Sequence, residues 1–217
     1  MPILVTDFDG TFTHRDFFDL VLERHDPPAG HEAWRRYLAG ELTHVQGIGA
    51  VFASLRTDEA AADALVDALD PAPGTAAAVA ALQAEGWEVV IASAGCRWYI
   101  DRLLARMGVR GVTVHASPGV FAPETGLVMT PDPGRPFHSA EYGIDKPAVV
   151  RDALGRDPVV AYAGDSNTDR ESALMVAPGR RFATGWLAKR LAGDGVPHRS
   201  FVAWPEIAAG LVGGEAT

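Results

Sequence analysis

The feature that most constrains the fold is a regular alternation of short apolar runs with helical segments from residue 74 onward. The runs are continuously apolar, which is typical of parallel strands buried on both faces. Strands are predicted at residues 3–5, 88–92, 112–114, 159–163, 181–183 and 201–202. Helices are predicted at residues 74–86, 97–108, 146–155, 168–176 and 186–192. This order predicts an α/β fold with a doubly wound, mainly parallel sheet.

The interval between the first two predicted strands departs from this alternation. Ser93, at the end of the second strand, comes 86 positions after Asp7, whereas a strand–helix–strand unit takes roughly 30 residues. The additional residues, about 15–71, have helical patterns throughout, with a break at Pro27-Pro28-Ala29-Gly30. We therefore expect residues 1–14 and 72–217 to form the α/β core and residues 15–71 to form an inserted helical cap. A smaller interruption, residues 117–145, predicts a hairpin in GVFAPETGLVMT and a turn-rich loop at PDPGRP.

Charge and cysteine content exclude several classes of function. The 217 residues carry a net charge of −9 with no run of Lys or Arg, which argues against a nucleic-acid or anionic-membrane partner. Cys96 is the only cysteine, so an intramolecular disulfide is excluded. The first residues lack the basic segment of a signal peptide, and no apolar stretch approaches the roughly 20 residues of a membrane helix. We expect a cytoplasmic monomer or homodimer.

Polar residues follow the predicted strands, and ligands of open α/β sheets bind outside the carboxyl ends of the strands. Each cluster alone is compatible with a turn or a helix cap. Together, in this order, they favour a reaction centre. The four clusters are Asp7-Phe8-Asp9-Gly10-Thr11, Ser93-Ala94-Gly95, Asp145-Lys146-Pro147 and Gly164-Asp165-Ser166-Asn167-Thr168-Asp169.

This series resembles, over the whole chain, the four motifs of the haloacid dehalogenase-like phosphatase superfamily. The helical insert is similar to the cap of its phosphoserine phosphatase branch. Within that branch, DFDGTFT, the RDFF continuation, the cap length and GDSNTDRESA are most similar to the methionine-salvage phosphatases, which act on a phosphorylated methylthio-ketopentene. The sequence departs from the family pattern at two places. Ala94 stands where many relatives have glycine, which keeps the amide donor but narrows the turn. PGRPFHSAEYGID lacks the cysteines that methionine-salvage relatives often carry before the lysine, and this departure bears on the substrate.

The resemblance implies a two-step hydrolysis at the first motif. Asp7 would attack phosphorus and form an aspartyl-phosphate. Asp9 would protonate the leaving alkoxide and then deprotonate water, with a pKa raised by a carboxylate neighbour and by burial. Gly10 would let the chain turn, and Thr11 would brace the loop.

The resemblance also implies a cofactor and a phosphate cradle. Mg²⁺ would be held by the Asp7 carboxylate, the Asp9 carbonyl and Asp165, with Asp169 assisting through a water or by binding Lys146. The phosphoryl oxygens would be bound by Ser93, by the backbone amides of Ala94 and Gly95, and by Lys146.

The substrate contacts are expected in the cap and the loops facing it. Asp16 is the first candidate because the phosphoserine branch has an acidic contact there. Weaker candidates are His14, Arg56, Arg97, Trp98 and His138. The expected function is a Mg²⁺-dependent phosphomonoester hydrolase acting on a small phosphorylated metabolite, with sugar or ketose phosphates among the candidates. A phosphomutase or other phosphotransferase, a dehalogenase, a phosphoserine phosphatase and a non-catalytic receiver-type module remain alternatives.

Overall fold

The computed structural model describes residues 1–213. Its main sheet has six parallel strands in the order β10-β9-β8-β1-β2-β3. These strands are β1 (Ile3–Thr6), β2 (Glu88–Cys96), β3 (Thr113–Ser117), β8 (Val160–Gly164), β9 (Arg181–Ala183) and β10 (Arg199–Ser200). Two separate antiparallel pairs are formed by β4 (Gly119–Ala122) with β5 (Gly126–Met129) and by β6 (His138–Ser139) with β7 (Gly143–Ile144).

Ten α-helices accompany these strands in the described part of the chain. They are α1 (Phe17–His25), α2 (Pro28–Leu38), α3 (His44–Ala53), α4 (Glu59–Asp67), α5 (Thr75–Ala84), α6 (Arg97–Met107), α7 (Lys146–Arg156), α8 (Arg170–Met175), α9 (Gly185–Gly193) and α10 (Pro205–Val212). Residues 1–213 contain no helix with the length and apolar character needed to cross a bilayer.

The central position of β1 explains the apolar run at residues 3–5. All four of its residues are buried, and it pairs with β2 on one side and β8 on the other. Leu4 belongs to one apolar cluster, while Ile3 and Val5 belong to another. Because alternate side chains of a strand point to opposite faces, these two clusters show that both faces of the sheet are covered. The predicted doubly wound α/β fold is confirmed.

Helices α1–α4 lie between β1 and α5, within the segment expected to form the cap. Their apolar residues join the core of the sheet, since Phe17 and Phe52 share a cluster with Phe8. Asp16 caps α1 by accepting a hydrogen bond from the Phe18 amide at 2.7 Å. The insert is therefore packed on the core through aromatic side chains, and the boundary at residues 14–15 stays a prediction.

Several element predictions need correction. The hairpin β4–β5 is confirmed, but the strand expected at residues 201–202 is wrong: Arg199–Ser200 forms it, and Phe201 is buried in the core beyond its end. The pair β6–β7 and helix α10 were not predicted. The break expected at residues 27–30 is also too long, because α2 begins at Pro28, and proline is well suited to the first turn of a helix.

Candidate active site

The strand order brings the first and last polar clusters together. The Asp7 amide donates a hydrogen bond to the Ala163 carbonyl at 2.9 Å, which continues the pairing of β1 with β8. Ser93 follows on the other side, within β2. The clusters that are distant in sequence therefore meet at the carboxyl edge of three neighbouring strands.

Lys146 lies between two buried carboxylates. Its Nζ is 2.8 Å from Asp7 Oδ1 and 2.7 Å from Asp169 Oδ1, and the residue is only 3% exposed. Burial lowers the pKa of Lys146, but attraction to Asp169 and Asp7 outweighs burial and raises that pKa above its usual value. The ammonium group is therefore charged and held beside Asp7.

Asp169 is fixed by hydrogen bonds to both of its oxygens. Oδ1 accepts from Lys146 and from the Tyr162 hydroxyl at 2.6 Å, while Oδ2 accepts from the Ser166 amide at 2.9 Å and hydroxyl at 2.7 Å. Burial raises the pKa of Asp169, but Lys146 and these donors lower it overall. This arrangement favours the expected alternative in which Asp169 acts by binding Lys146.

Asp9 is also held at both oxygens. Oδ2 accepts from the Tyr99 hydroxyl at 2.6 Å and Oδ1 from the Phe17 amide at 3.1 Å, while Ser93 Oγ lies 3.4 Å from Oδ2. Burial raises the pKa of Asp9 more than the donors Tyr99 and Phe17 lower it. The predicted direction is confirmed, but burial is the main cause, and the neighbouring carboxylate that was expected to contribute is not among the main causes. The first helix of the insert thus helps to orient a side chain of the core.

A cation site is suggested by three acidic side chains. Carboxylate oxygens of Asp7, Asp165 and Asp169 lie within 4.8 Å of one another. Burial, followed by the charge of Asp169, raises the pKa of Asp165 to about 7. Because Mg²⁺ prefers oxygen ligands and would offset this clustered charge, the donor set fits that ion. Since both Asp169 oxygens already accept hydrogen bonds, Asp7 and Asp165 are the stronger candidate ligands.

The first loop is tied to Asp165. Thr11 Oγ1 donates to Asp165 Oδ1 at 3.1 Å, which agrees with the bracing function expected of Thr11. Gly10 has φ +73°, and a Cβ there would lie 2.6 Å from Asp165 Oδ2. Gly10 therefore provides both the turn and the space for Asp165.

Gly10→Ala is expected to lower the free energy of unfolding by about 1–2 kcal/mol from the backbone alone, and to displace Asp165 as well. Gly40→Ala is the matched control, since Gly40 has φ +76° and no atom within 4 Å of the position that an alanine methyl group would take. Urea unfolding and Mg²⁺-dependent thermal stabilisation should be measured for both variants. If Mg²⁺ raised the Tm of both variants equally, the result would contradict the view that Gly10 leaves the space in which Asp165 binds the cation.

The Ser93-Ala94-Gly95 turn differs from the expected arrangement in one respect. The Gly95 amide donates to Ser93 Oγ at 3.0 Å, so this amide is already engaged within the turn. A Cβ at Gly95 would lie 1.7 Å from the Tyr99 hydroxyl oxygen. Tyr99 therefore requires a glycine at this position.

Nearby, burial raises the pKa of Cys96 to about 12, which is consistent with a thiol that packs in the core behind the turn.

A cavity of about 350 Å³ opens above these residues, between the core and the insert. On the core side it is lined by the polar clusters, and on the other side by residues of α1–α3 and their flanking turns. The insert residues are Asp16, Phe18, Trp34, Tyr37, Leu38, His44, Ile48 and Phe52. Asp16, the first substrate candidate, thus lies on the cavity wall as well as capping α1.

The other substrate candidates lie outside this cavity lining, which corrects the sequence-based expectation. His14 pairs with Asp70 at 3.4 Å, and Arg97 pairs with Asp101 at 3.0 Å. Arg56 binds the Glu124 carbonyl, and the ring centre of Trp98 lies 4.1 Å from the Arg102 guanidinium carbon. His138 lies in β6. These contacts depend on helix packing, which the sequence pattern does not specify.

Two tyrosines of the site were missed by the sequence analysis. Tyr99 and Tyr162 are fully buried, and their hydroxyls bind the carboxylates of Asp9 and Asp169. The available signal was weak: Tyr162 is a polar-tipped residue within a buried strand, and Tyr99 lies in the first turn of α6. Neither belongs to a recognised cluster.

Known proteins share both sequence and fold with this chain. A family model described as haloacid dehalogenase-like hydrolase matches residues 4–173. A 2-hydroxy-3-keto-5-methylthiopentenyl-1-phosphate phosphatase of Brevibacillus brevis is 25% identical over 212 residues, covering 94% of this chain and 92% of that protein. A protein of the same name from Exiguobacterium sp. is 24% identical over 212 residues, covering 97% of each.

Solved structures show the same fold at lower sequence identity. A HAD family hydrolase from Salmonella enterica serovar Typhi superposes with a TM-score of 0.73 and 18% identity, covering 99% of this chain and 72% of that one. A phospho-aspartyl intermediate analogue of phosphoserine phosphatase gives a TM-score of 0.60 and 13% identity, covering 95% and 96%.

Proposed function

Because the chain belongs to the haloacid dehalogenase-like hydrolase family and is a phosphoric monoester hydrolase, we propose that it hydrolyses a small phosphorylated metabolite with Mg²⁺, through an aspartyl-phosphate on Asp7. The observation that supports this most is the convergence on Asp7 of a charged lysine and two further carboxylates. Lys146 is 2.8 Å from Asp7, and Asp165 and Asp169 complete the acidic group.

Asp7 is proposed as the nucleophile. Its carboxylate oxygen would bond to phosphorus as the bond to the leaving oxygen breaks. In the chain alone, burial and the charge of Asp169 raise the pKa of Asp7 well above its usual value. Bound Mg²⁺ would supply positive charge that favours the ionised carboxylate and offsets the charge of the phosphoryl group. Lys146 would hold a phosphoryl oxygen from the other side.

Asp9 is proposed as the general acid and base. Its raised pKa suits a group that donates a proton to the leaving oxygen and then removes one from water. Tyr99 and the Phe17 amide hold both carboxyl oxygens and restrict their orientation. Since Phe17 opens α1, movement of the proposed cap at residues 15–71 would change this orientation.

The proposed phosphate cradle consists of Ser93, the backbone of Ala94 and Gly95, and Lys146. The Ser93 hydroxyl lies near Asp9, so the phosphoryl group would be bound next to the acid. The Gly95 amide would have to exchange its bond to Ser93 Oγ for one to phosphate. Electrostatic stabilisation of the transferring group would come from Lys146 and the cation site.

Mg²⁺ binding should depend on pH through Asp165. The pKa of Asp165, about 7, lies above the ordinary value for a carboxyl group. In the metal-free protein, the protonated group therefore stabilises the folded state at low pH, and this stabilisation is lost as the pH rises through about 7. Ligation requires the carboxylate form. The increase in Tm caused by Mg²⁺ is therefore expected to be larger at about pH 8 than at about pH 6.

Thermal unfolding with Mg²⁺ or a chelator would measure this dependence. Asp165→Asn should remove most of the Mg²⁺ stabilisation at every pH, while the surface variant Asp152→Asn should behave as the wild type. An Mg²⁺-induced shift of the same size at both pH values would count against Asp165 as a ligand.

The proposed function is tested by phosphate release from a panel of esters, including a generic aryl phosphate, ketose phosphates and the methylthiopentenyl phosphate that the relatives are named for. Release should require Mg²⁺ and stop on addition of a chelator. Conversion of a sugar phosphate to its isomer without phosphate release would instead indicate a mutase.

A further inference from the structure

His44 lies where helix α3 contacts the turn between β6 and β7. It is the first residue of α3, and its backbone amide donates to Glu141 Oε1 at 3.1 Å. The next amide, that of Val45, donates to the Glu141 carbonyl at 2.9 Å. The start of α3 is therefore tied to a turn that is distant in sequence, and His44 has a fixed place on the wall of the cavity.

Three aromatic rings pack around the imidazole of His44. Its ring centre lies 5.4 Å from those of Tyr37 and Tyr142 and 6.1 Å from that of Trp34. The interplanar angles are 80° with Tyr37, 71° with Trp34 and 57° with Tyr142, so the rings meet edge to face or at a tilt. This packing restricts the orientation of the imidazole, as a side chain that makes a directed hydrogen bond requires.

The imidazole of His44 is neutral near pH 7. Burial, followed by the charge of Lys146, lowers its pKa to about 4. A neutral imidazole has one N–H donor and one acceptor nitrogen. Nδ1 is buried and has no hydrogen-bond partner among residues 1–213. Because an unpartnered buried N–H is rarer in proteins than an unpartnered acceptor, we place the proton on Nε2.

The same cavity contains the residues of the proposed phosphate cradle. Ser93, Ala94, Gly95 and Lys146 line it together with His44. A phosphoryl group on the cradle would leave the rest of the substrate between the cradle and the insert, on the side of His44. Once a ligand displaces water from this space, the imidazole N–H needs an acceptor on the ligand, because an unpaired buried donor is costly.

We propose that His44 is a specificity-determining residue, whose Nε2–H donates a hydrogen bond to an uncharged oxygen of the leaving group. The substrate class is a phosphomonoester of an alcohol that also carries a carbonyl oxygen. A neutral donor is matched to such an acceptor, since it brings no charge to offset that of a carboxylate. This inference rests on the proposed hydrolase function and adds a determinant of its specificity.

The test compares two pairs of esters on the Mg²⁺-loaded wild type. In each pair, a ketone oxygen is replaced by a methylene group of similar shape. The first pair is hydroxyacetone phosphate with 2-methylallyl phosphate, and the second, in which the ketone lies farther from phosphorus, is 4-oxopentyl phosphate with 4-methylpent-4-enyl phosphate. The measured quantity is the ratio of kcat/KM for the ketone to kcat/KM for the alkene.

His44→Phe should lower this ratio by about three- to tenfold in at least one pair, because it keeps an aromatic ring but removes the N–H donor. Comparison with the wild type cancels the intrinsic difference in reactivity between the two esters. His44→Gln has an amide N–H near the position of Nε2 and should retain part of the ratio. A residue that only packs would lower kcat/KM for both esters alike and leave the ratio unchanged.

His31→Phe is the matched control. His31 lies on α2 outside the cavity lining, where its exposed ring pairs with Asp26 at 2.7 Å. The same substitution there should leave both ratios at their wild-type values. An unchanged ratio for both ester pairs in His44→Phe, or an equal fall in His31→Phe, would overturn the inference.

A binding measurement separates this inference from the proposed function. In the matching phosphonates, a methylene group replaces the ester oxygen, so they bind without being hydrolysed. The ketone phosphonate of at least one pair should raise the Tm of the Mg²⁺-loaded wild type more than its alkene partner does, and His44→Phe should abolish the difference. Equal stabilisation of the wild type within both pairs would overturn the inference. Absence of phosphate release from every ester would overturn the hydrolase proposal, while the phosphonates would still decide the function of His44.

Discussion

Asp7→Asn is expected to lower the rate of phosphate release by at least about a thousandfold. The amide has almost the shape of the carboxylate but is a much weaker nucleophile, so the covalent step is lost while the packing remains. Phosphate release from a generic aryl phosphate in Mg²⁺ measures the effect. Circular dichroism and thermal unfolding show whether the fold is kept.

Asp101→Asn is the matched control for this variant. Asp101 pairs with Arg97 on the exposed side of α6, so its loss should leave the rate close to that of the wild type. Retention of most of the activity by Asp7→Asn would exclude Asp7 as the nucleophile. A similar loss in both variants would indicate a general effect on the fold.

Lys146→Met is expected to remove activity and also to lower the free energy of unfolding by about 3–5 kcal/mol. The physical reason is that Asp169, which is fully buried and has a lowered pKa, would lose its charged partner, and Asp7 would lose the same neighbour. Urea unfolding in the presence of a chelator measures the change without a contribution from Mg²⁺.

Two comparisons make this prediction specific. Arg36→Met breaks the exposed pair with Glu41 and should change the free energy of unfolding by no more than about 1 kcal/mol. Lys146→Met combined with Asp169→Asn removes both charges and should recover part of the lost stability without recovering activity. If Lys146→Met lowered the free energy of unfolding by no more than Arg36→Met does, the result would contradict the stabilising effect of the buried ion pair.

The polar clusters were predictable because parallel strands place their carboxyl ends on one edge. Asp7, Ser93 and Asp165 each follow or end a recognisable apolar run, so the fold itself brings them together. Lys146 could be added only by its position at the start of a helix and by the resemblance to a known family. For Asp7, Ser93 and Asp165, the apolar run in the sequence and the order of the strands in the sheet both indicate the same position at the carboxyl edge.

The remaining site residues depend on packing between distant segments. Tyr99 donates to Asp9 from the first turn of α6, and its ring stacks on Phe17, the first residue of α1, with the ring centres 4.3 Å apart. No spacing in the sequence specifies that approach. The substrate candidates Arg56 and Arg97 are charged, yet both bind partners outside the cavity lining. Charge alone does not indicate where a side chain of a helix or turn is directed.

Burial also explains the errors at the carboxyl-terminal end. Phe201 is apolar because it packs in the core, so its hydrophobicity resembles that of a strand although the strand ends at Ser200. Helix α10 carries buried Ile207 and Ala208 in a short, weakly patterned segment. In both places the apolar residues indicate that the segment is buried, but they do not indicate whether it forms a strand or a helix.

The central claim is that phosphate passes through a covalent bond to Asp7. The most direct measurement is rapid quenching of the Mg²⁺-loaded enzyme during turnover, followed by borohydride reduction and peptide mass spectrometry. An acyl phosphate at Asp7 would be reduced to homoserine at that position, and Asp9 would be unchanged. Homoserine at Asp7 is the predicted result. Modification at another carboxylate, or phosphate release with no modified residue in the quenched enzyme, would contradict the account.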